Sequence, residues 1–132
     1  MPTFQSTVEL PVSVETIYLS LQDCNQHEQL QPKPIEDWVS DTDTIQFSIN
    51  RLGRFTLKVE TRIPHTDIRI HPSKESPIAL YTHWQLHALS DESCRVTLQF
   101  TAELNMMMKL VAAPMIQQLA EYQTQQLQQL FG

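Results

Sequence analysis

The residues of this chain that can do chemistry are few and scattered. Five histidines and two cysteines are spread over 132 positions, and Cys24 and Cys94 form no C-x-x-C and have no His or Asp at metal-finger spacing. Both read as reduced, partly buried thiols. His71, His83 and His87 fall on the polar side of an alternating stretch, which puts them on an outward face. On a strand rising ~3.3 Å per residue, His83 and His87 stand about 13 Å apart, too far to share one metal ion, so no metal site is expected. Asp67 and His83 are candidate cross-strand partners, but a nucleophilic relay also needs a Ser or Cys, and none is placed to complete it. Ile35, Asp37 and Val39 alternate with Glu36 and Trp38, so either Asp37 or Trp38 points inward. No residue is assigned a catalytic role. The remaining candidates are apolar: Trp84 and Phe100, which can stack on a ring or serve as core aromatics, and Met106-Met107-Met108, a pliable gate or gap filler.

Composition removes several classes of function. The only glycines are Gly53 and Gly132, so the Gly-rich loops that bring backbone amides close to phosphate are absent, and with them the nucleotide enzymes that use them. A net charge of −6 opposes binding to a phosphate backbone, which excludes nucleic acid as a partner. No run approaches the ~18 apolar residues of a membrane span, and Met1-Pro2-Thr3-Phe4-Gln5 opens no signal segment, so the expectation is a cytoplasmic protein without stable membrane insertion. With 41% hydrophobic residues the chain is globular, and its length matches one domain, residues 1–132.

The elements that must position these residues follow from periodicity. Phe4, Ser6, Val8 and Leu10 alternate with polar neighbours as a first strand halted by Pro11. Ser13 caps a helix whose Val14, Ile17, Tyr18 and Leu21 share one face, and Asn25 with Glu28 suggests a second short helical turn before Pro32 and Pro34. From Ile35 to Leu104 the period is two, broken by five turn signals, which makes six consecutive strands.

Hairpin pairing can be written out by matching apolar with apolar residues. Ile49 is set opposite Phe55, Phe47 opposite Leu57 and Ile45 opposite Val59 around Gly53. Ile63 then meets Ile68, and Thr61 meets Ile70. His71 meets Ala79 and Asp67 meets His83, while Leu86 meets Leu98, Trp84 meets Phe100 and Thr82 meets Ala102. Beyond Leu104 a long helix capped by Asn105 carries the stripe Val111, Met115, Leu119, Tyr122 and Leu130, widened by Ile116 and Leu127. Pro114 should kink or divide it, and the Gln-rich end should be a solvated face.

Strand, two short helices, six-strand meander and long C-terminal helix together resemble the START-like (SRPBCC) superfamily and its helix-grip fold, in particular the small bacterial polyketide-cyclase-like branch. The resemblance rests on Val14-Glu15-Thr16-Ile17-Tyr18 with Leu21 and Asp23, on Leu52-Gly53, and on Leu104-Asn105-Met106-Met107-Met108 followed by Pro114, Leu119, Leu127 and Leu130. It implies an α+β fold in which a seven-stranded antiparallel sheet wraps the last helix and leaves a cavity between them.

The residues then expected to bind a ligand are Phe47, Leu57, Thr61, Ile70, Thr82, Trp84, Phe100, Met108, Met115 and Leu119. The expected function is non-catalytic binding of a small hydrophobic molecule such as a lipid, quinone or polyketide, with no cofactor. Two alternatives stand beside it: a protein-interaction module with a filled core, and a cyclase or hydrolase with an acid or His inside the cavity.

Overall fold

In the computed structural model, which describes residues 1–132, the first strand β1 spans Thr3–Leu10 and ends at Pro11, which has no amide proton to extend a ladder. Ser13, in extended backbone, accepts a hydrogen bond from the Thr16 amide at 3.2 Å and so starts α1 (Val14–Leu21), which buries Val14, Ile17, Tyr18 and Leu21. The second helical segment, Cys24–Leu30, is a 3₁₀ helix. Its cap is Asp23 rather than Asn25: the Asp23 carboxylate accepts from the Asn25 amide at 3.0 Å and begins the turn two residues earlier than expected. Cys24, His27 and Leu30 are buried, the spacing of three that places residues on one side of a 3₁₀ helix.

The meander is present in full as β2 (Ile35–Ser40), β3 (Thr44–Ile49), β4 (Gly53–Ile63), β5 (Asp67–Pro72), β6 (Leu80–Ser90) and β7 (Ser93–Ala102). With β1 it forms one antiparallel seven-stranded sheet in the order β1-β7-β6-β5-β4-β3-β2. Three hairpins differ from the expected register by two residues. Phe47 pairs with Phe55 and Ile45 with Leu57, because the turn is Asn50-Arg51-Leu52 with Arg51 at φ 73°, and Gly53 already belongs to β4. Asp67 pairs with Gln85, and Thr82 with Phe100 rather than with Ala102. A slip of two leaves every side chain on its own face.

The β4–β5 hairpin differs in a way that changes faces. Its loop holds His65 at φ 68°, and the register shifts between Val59 and Thr61, a bulge at Glu60. Val59 pairs with Ile70 below the bulge, but above it Thr61 pairs with Arg69 and Arg62 with Ile68. Thr61 is thereby turned to the outer face and Arg62 to the inner one. Arg62 donates to the Gln22 and Thr42 carbonyls, each at 2.8 Å, and pairs with Asp43 at 2.8 Å, tying the end of α1 to the β2–β3 turn.

The last helix, α2 (Met106–Phe131), is capped by Asn105, which accepts from the Met108 amide at 2.8 Å, and runs through Pro114 undivided. It packs on β1, β7 and the Cys24–Leu30 helix and buries Ala112, Ile116, Ala120, Gln123, Thr124 and Leu127. Ile116 and Leu127, which widen the expected stripe, are thus buried, while the face as a whole lies about one residue, roughly 100°, from Val111, Met115, Leu119 and Tyr122. The two small alanines let the backbone approach the sheet, and Ser6 Oγ meets Thr124 Oγ1 at 2.7 Å. Val111 and Leu130 are consequently exposed, while Gln123 of the Gln-rich end is buried. Cys24 and Cys94 are free and buried, and burial pushes the Cys24 thiol up to about 12. No helix is long and apolar enough to cross a membrane.

Candidate functional site

Because α2 lies over β1 and β7, the inner face of β3 to β6 is met by α1 and the Cys24–Leu30 helix and, around the cavity, by side chains that project from the flank of α2. Phe47, Phe55, Ile78 and Leu80 on the sheet side face Met115 and Leu119 on the helix side across a cavity of about 190 Å³. The exposed Pro34, Gln118 and Tyr122 also line it and form its rim toward solvent. Phe47 and Phe55 stack at 5.1 Å in its wall, and Trp38, which lies outside that lining, stacks on Phe47 at 6.0 Å. Trp38 is held there by its indole N–H, which donates to Ser40 Oγ at 2.9 Å. Trp38 is therefore the inward residue of β2, and Asp37 is exposed, at φ 52° beside a register shift.

A second chamber of about 30 Å³ adjoins the first and shares Phe47, Leu80 and Leu119 with it. Its apolar walls include Leu57, Ile70, Trp84 and Phe100, and its polar groups are Thr82, His27, Gln31 and Gln123. Of the ten residues expected from the sequence, Phe47, Met115 and Leu119 line the larger cavity, and Leu57, Ile70, Thr82, Trp84 and Phe100 line the smaller one. Thr61 is turned away by the bulge, and Met108, half-buried near the start of α2, lines neither space.

The polar groups of the small chamber are linked. Gln31 Nε2 donates to the His27 carbonyl at 2.8 Å and Gln123 Nε2 to Gln31 Oε1 at 3.1 Å. His27 Nε2 lies 2.7 Å from the Leu21 carbonyl, and since a carbonyl only accepts, Nε2 carries the proton. Burial holds this imidazole below its ordinary pKa of 6.5 against the opposing pull of the Leu21 bond, so it is neutral and its Nδ1 is a bare lone pair. No Lys, Arg, Asp or Glu lines either space. The arrangement can bury an uncharged apolar molecule; it offers no carboxylate, and His27 is the one histidine in its lining.

The other polar constellation lies on the outer face. Asp67 Oδ1 accepts from His83 Nε2 at 2.7 Å, a bond that holds the Asp67 carboxyl below the usual range, and Gln85 Nε2 meets His83 Nδ1 at 3.1 Å. The cross-strand partnership thus exists as a diagonal pair, since His83 itself stands opposite Arg69. No three His, Cys, Asp or Glu side chains converge as a metal site would require.

No family model and no curated protein sequence matches the chain. Solved structures do. A START superfamily protein from Mycobacterium smegmatis is similar at a TM-score of 0.72 and 17% identity, over 98% of this chain and 96% of that one. Norcoclaurine synthase from Thalictrum flavum, solved as a point mutant with a transition state analogue, is similar at 0.76 and 7% identity, over 98% and 92%. The di-domain ARO/CYC protein BexL of the BE-7585A biosynthetic pathway is similar at 0.74 and 14% identity, over 98% of this chain and 46% of that one. The fold is the START-like helix-grip fold.

Proposed function

We propose that this protein binds a small, uncharged, hydrophobic molecule in the cavity between the sheet and α2 and holds it without changing it chemically. The observation that carries the reading is the cavity. At ~24 cal/mol per Å³, leaving 190 Å³ unfilled forgoes at most about 4–5 kcal/mol of packing. That upper bound, for a space that opens to solvent at its rim, is a large fraction of the ~5–15 kcal/mol by which a domain is stable, and an apolar occupant would recover packing that water does not supply. A filled core, which an interaction module would have, is what this space argues against.

The volume also bounds the occupant. It exceeds the ~150 Å³ apolar cavity that takes up benzene and falls short of the ~300 Å³ at which drug-sized sites begin, so one ring or a short branched chain fits, and anything longer must extend past Pro34 and Tyr122. The uncharged lining argues against an ionised group inside the cavity, where nothing would offset its desolvation. That norcoclaurine synthase was solved with a small molecule, and that BexL is an ARO/CYC protein, supports a small-molecule role for this fold. The proposed setting is the cytoplasm, where Cys24 and Cys94 stay reduced.

The test is a titration with toluene, followed by NMR, of the wild type and of Met115→Trp, which places a larger side chain in the cavity. Saturable shifts at Phe47 and Leu119 in the wild type, lost in a folded variant, are expected. No saturable shift, or one unchanged by the substitution, contradicts the reading.

A further inference from the structure

We infer that the small inner chamber receives the polar end of the ligand, and that this end is an uncharged oxygen acceptor, a ketone or aldehyde carbonyl, hydrogen-bonded by the indole N–H of Trp84. The inference rests on the reading of the larger cavity as the ligand site and adds the chemical class of the molecule.

Trp84 is fully buried, and its Nε1 is the one buried side-chain nitrogen or oxygen in the protein without a hydrogen-bond partner. An indole N–H only donates, and buried donors are seldom left unpaired. The contrast with Trp38 is informative: its N–H is answered from within the fold by Ser40, whereas the N–H of Trp84 is not. Trp84 lines the inner chamber and not the outer cavity.

The chamber's size, about 30 Å³, matches one water-sized group, so it admits a single oxygen substituent and not a ring. Phe47, Leu80 and Leu119 border both spaces, so the chamber lies directly beside a molecule whose apolar body fills the outer cavity. The head it takes is neutral, since no Lys, Arg, Asp or Glu lines the chamber to compensate a carboxylate, phosphate or ammonium. His27 spends its N–H on Leu21, which leaves Trp84 with a donor to spare and a carbonyl oxygen as the matching acceptor.

A matched pair of probes separates this inference from the reading beneath it. Acetophenone and α-methylstyrene share a shape, the second carrying C=CH₂ in place of C=O. Both are titrated into ¹⁵N-tryptophan-labelled protein, with the Trp84 indole resonance assigned from Trp38→Phe. The expected result is that both bind, acetophenone about three- to tenfold more tightly, the margin of one net hydrogen bond. Only acetophenone should move the Trp84 indole proton downfield beyond the ring-current shift that both probes cause. In Trp84→Phe the two affinities should converge. If that variant fails to fold, the wild-type ratio and the indole shift decide. Equal affinities with equal indole shifts overturn the carbonyl site and leave the outer cavity standing. Binding of neither probe overturns both.

Discussion

His27 lies in the polar run Gln26-His27-Glu28-Gln29, yet it is only 3% exposed and stands edge-on to Trp84 at 6.0 Å. Its identity as a site residue was legible only as a spacing of three with Cys24 and Leu30, a 3₁₀ signal that a search for helical or strand periods passes over. Trp84 and Phe100 were legible because alternation alone fixes their face. Burial lowers the folded pKa of His27, so the sign of its linkage is determined. Near pH 7 the imidazole is neutral folded and unfolded. Below the unfolded value of 6.5 the unfolded chain takes up a proton that the folded chain refuses, and stability falls until the lowered folded pKa is reached. The stability advantage of the wild type over His27→Gln should therefore shrink between pH 7 and pH 5 in urea unfolding. The difference between the two proteins cancels the other histidines, and an advantage independent of pH would contradict a buried neutral His27.

Among the elements, β4 shows where sequence patterning stops. Alternation through Phe55, Leu57, Val59 and Thr61 reads as one uninterrupted face, and nothing in the residue types marks the bulge at Glu60 that exchanges Thr61 for Arg62. The other hairpins kept their faces because loop length was wrong by two residues rather than one. In α2 a count of large apolar residues favours Val111 and Leu130, but Ala112 and Ala120 make the contact, since closeness to a sheet selects small side chains. That rotation leaves Met115 and Leu119 on the flank that lines the cavity. The bulge makes a sharp prediction. Arg62→Ala removes a charged donor from the Gln22 and Thr42 carbonyls and should cost about 1.5–3 kcal/mol in urea unfolding. Thr61→Ala, on the outer face, should stay within ~0.5 kcal/mol and leave toluene binding unchanged. The opposite order would place Thr61 inside.

At the scale of the molecule, the sheet is broader than one helix can cover, and packing α2 against β1 and β7 leaves the β3 to β6 side with the open space. Seven strands and a long last helix announce this architecture in the sequence. Whether the space is filled is not announced, because the same Phe, Leu and Met residues line a solid core and an open cavity. Occupancy also has a thermodynamic signature: a ligand held at 100 times its Kd adds about 2.7 kcal/mol of stability, so protein stripped of its ligand should melt lower than protein fresh from cells. The central claim is that the cavity holds a small molecule, and it is tested most directly by comparing native and denaturing mass spectra of freshly purified wild-type protein and Met115→Trp. The account predicts one discrete noncovalent adduct on the wild type that unfolding releases, and none on the variant. A bare chain in the native spectrum of the wild type, or an adduct that Met115→Trp retains, would contradict it.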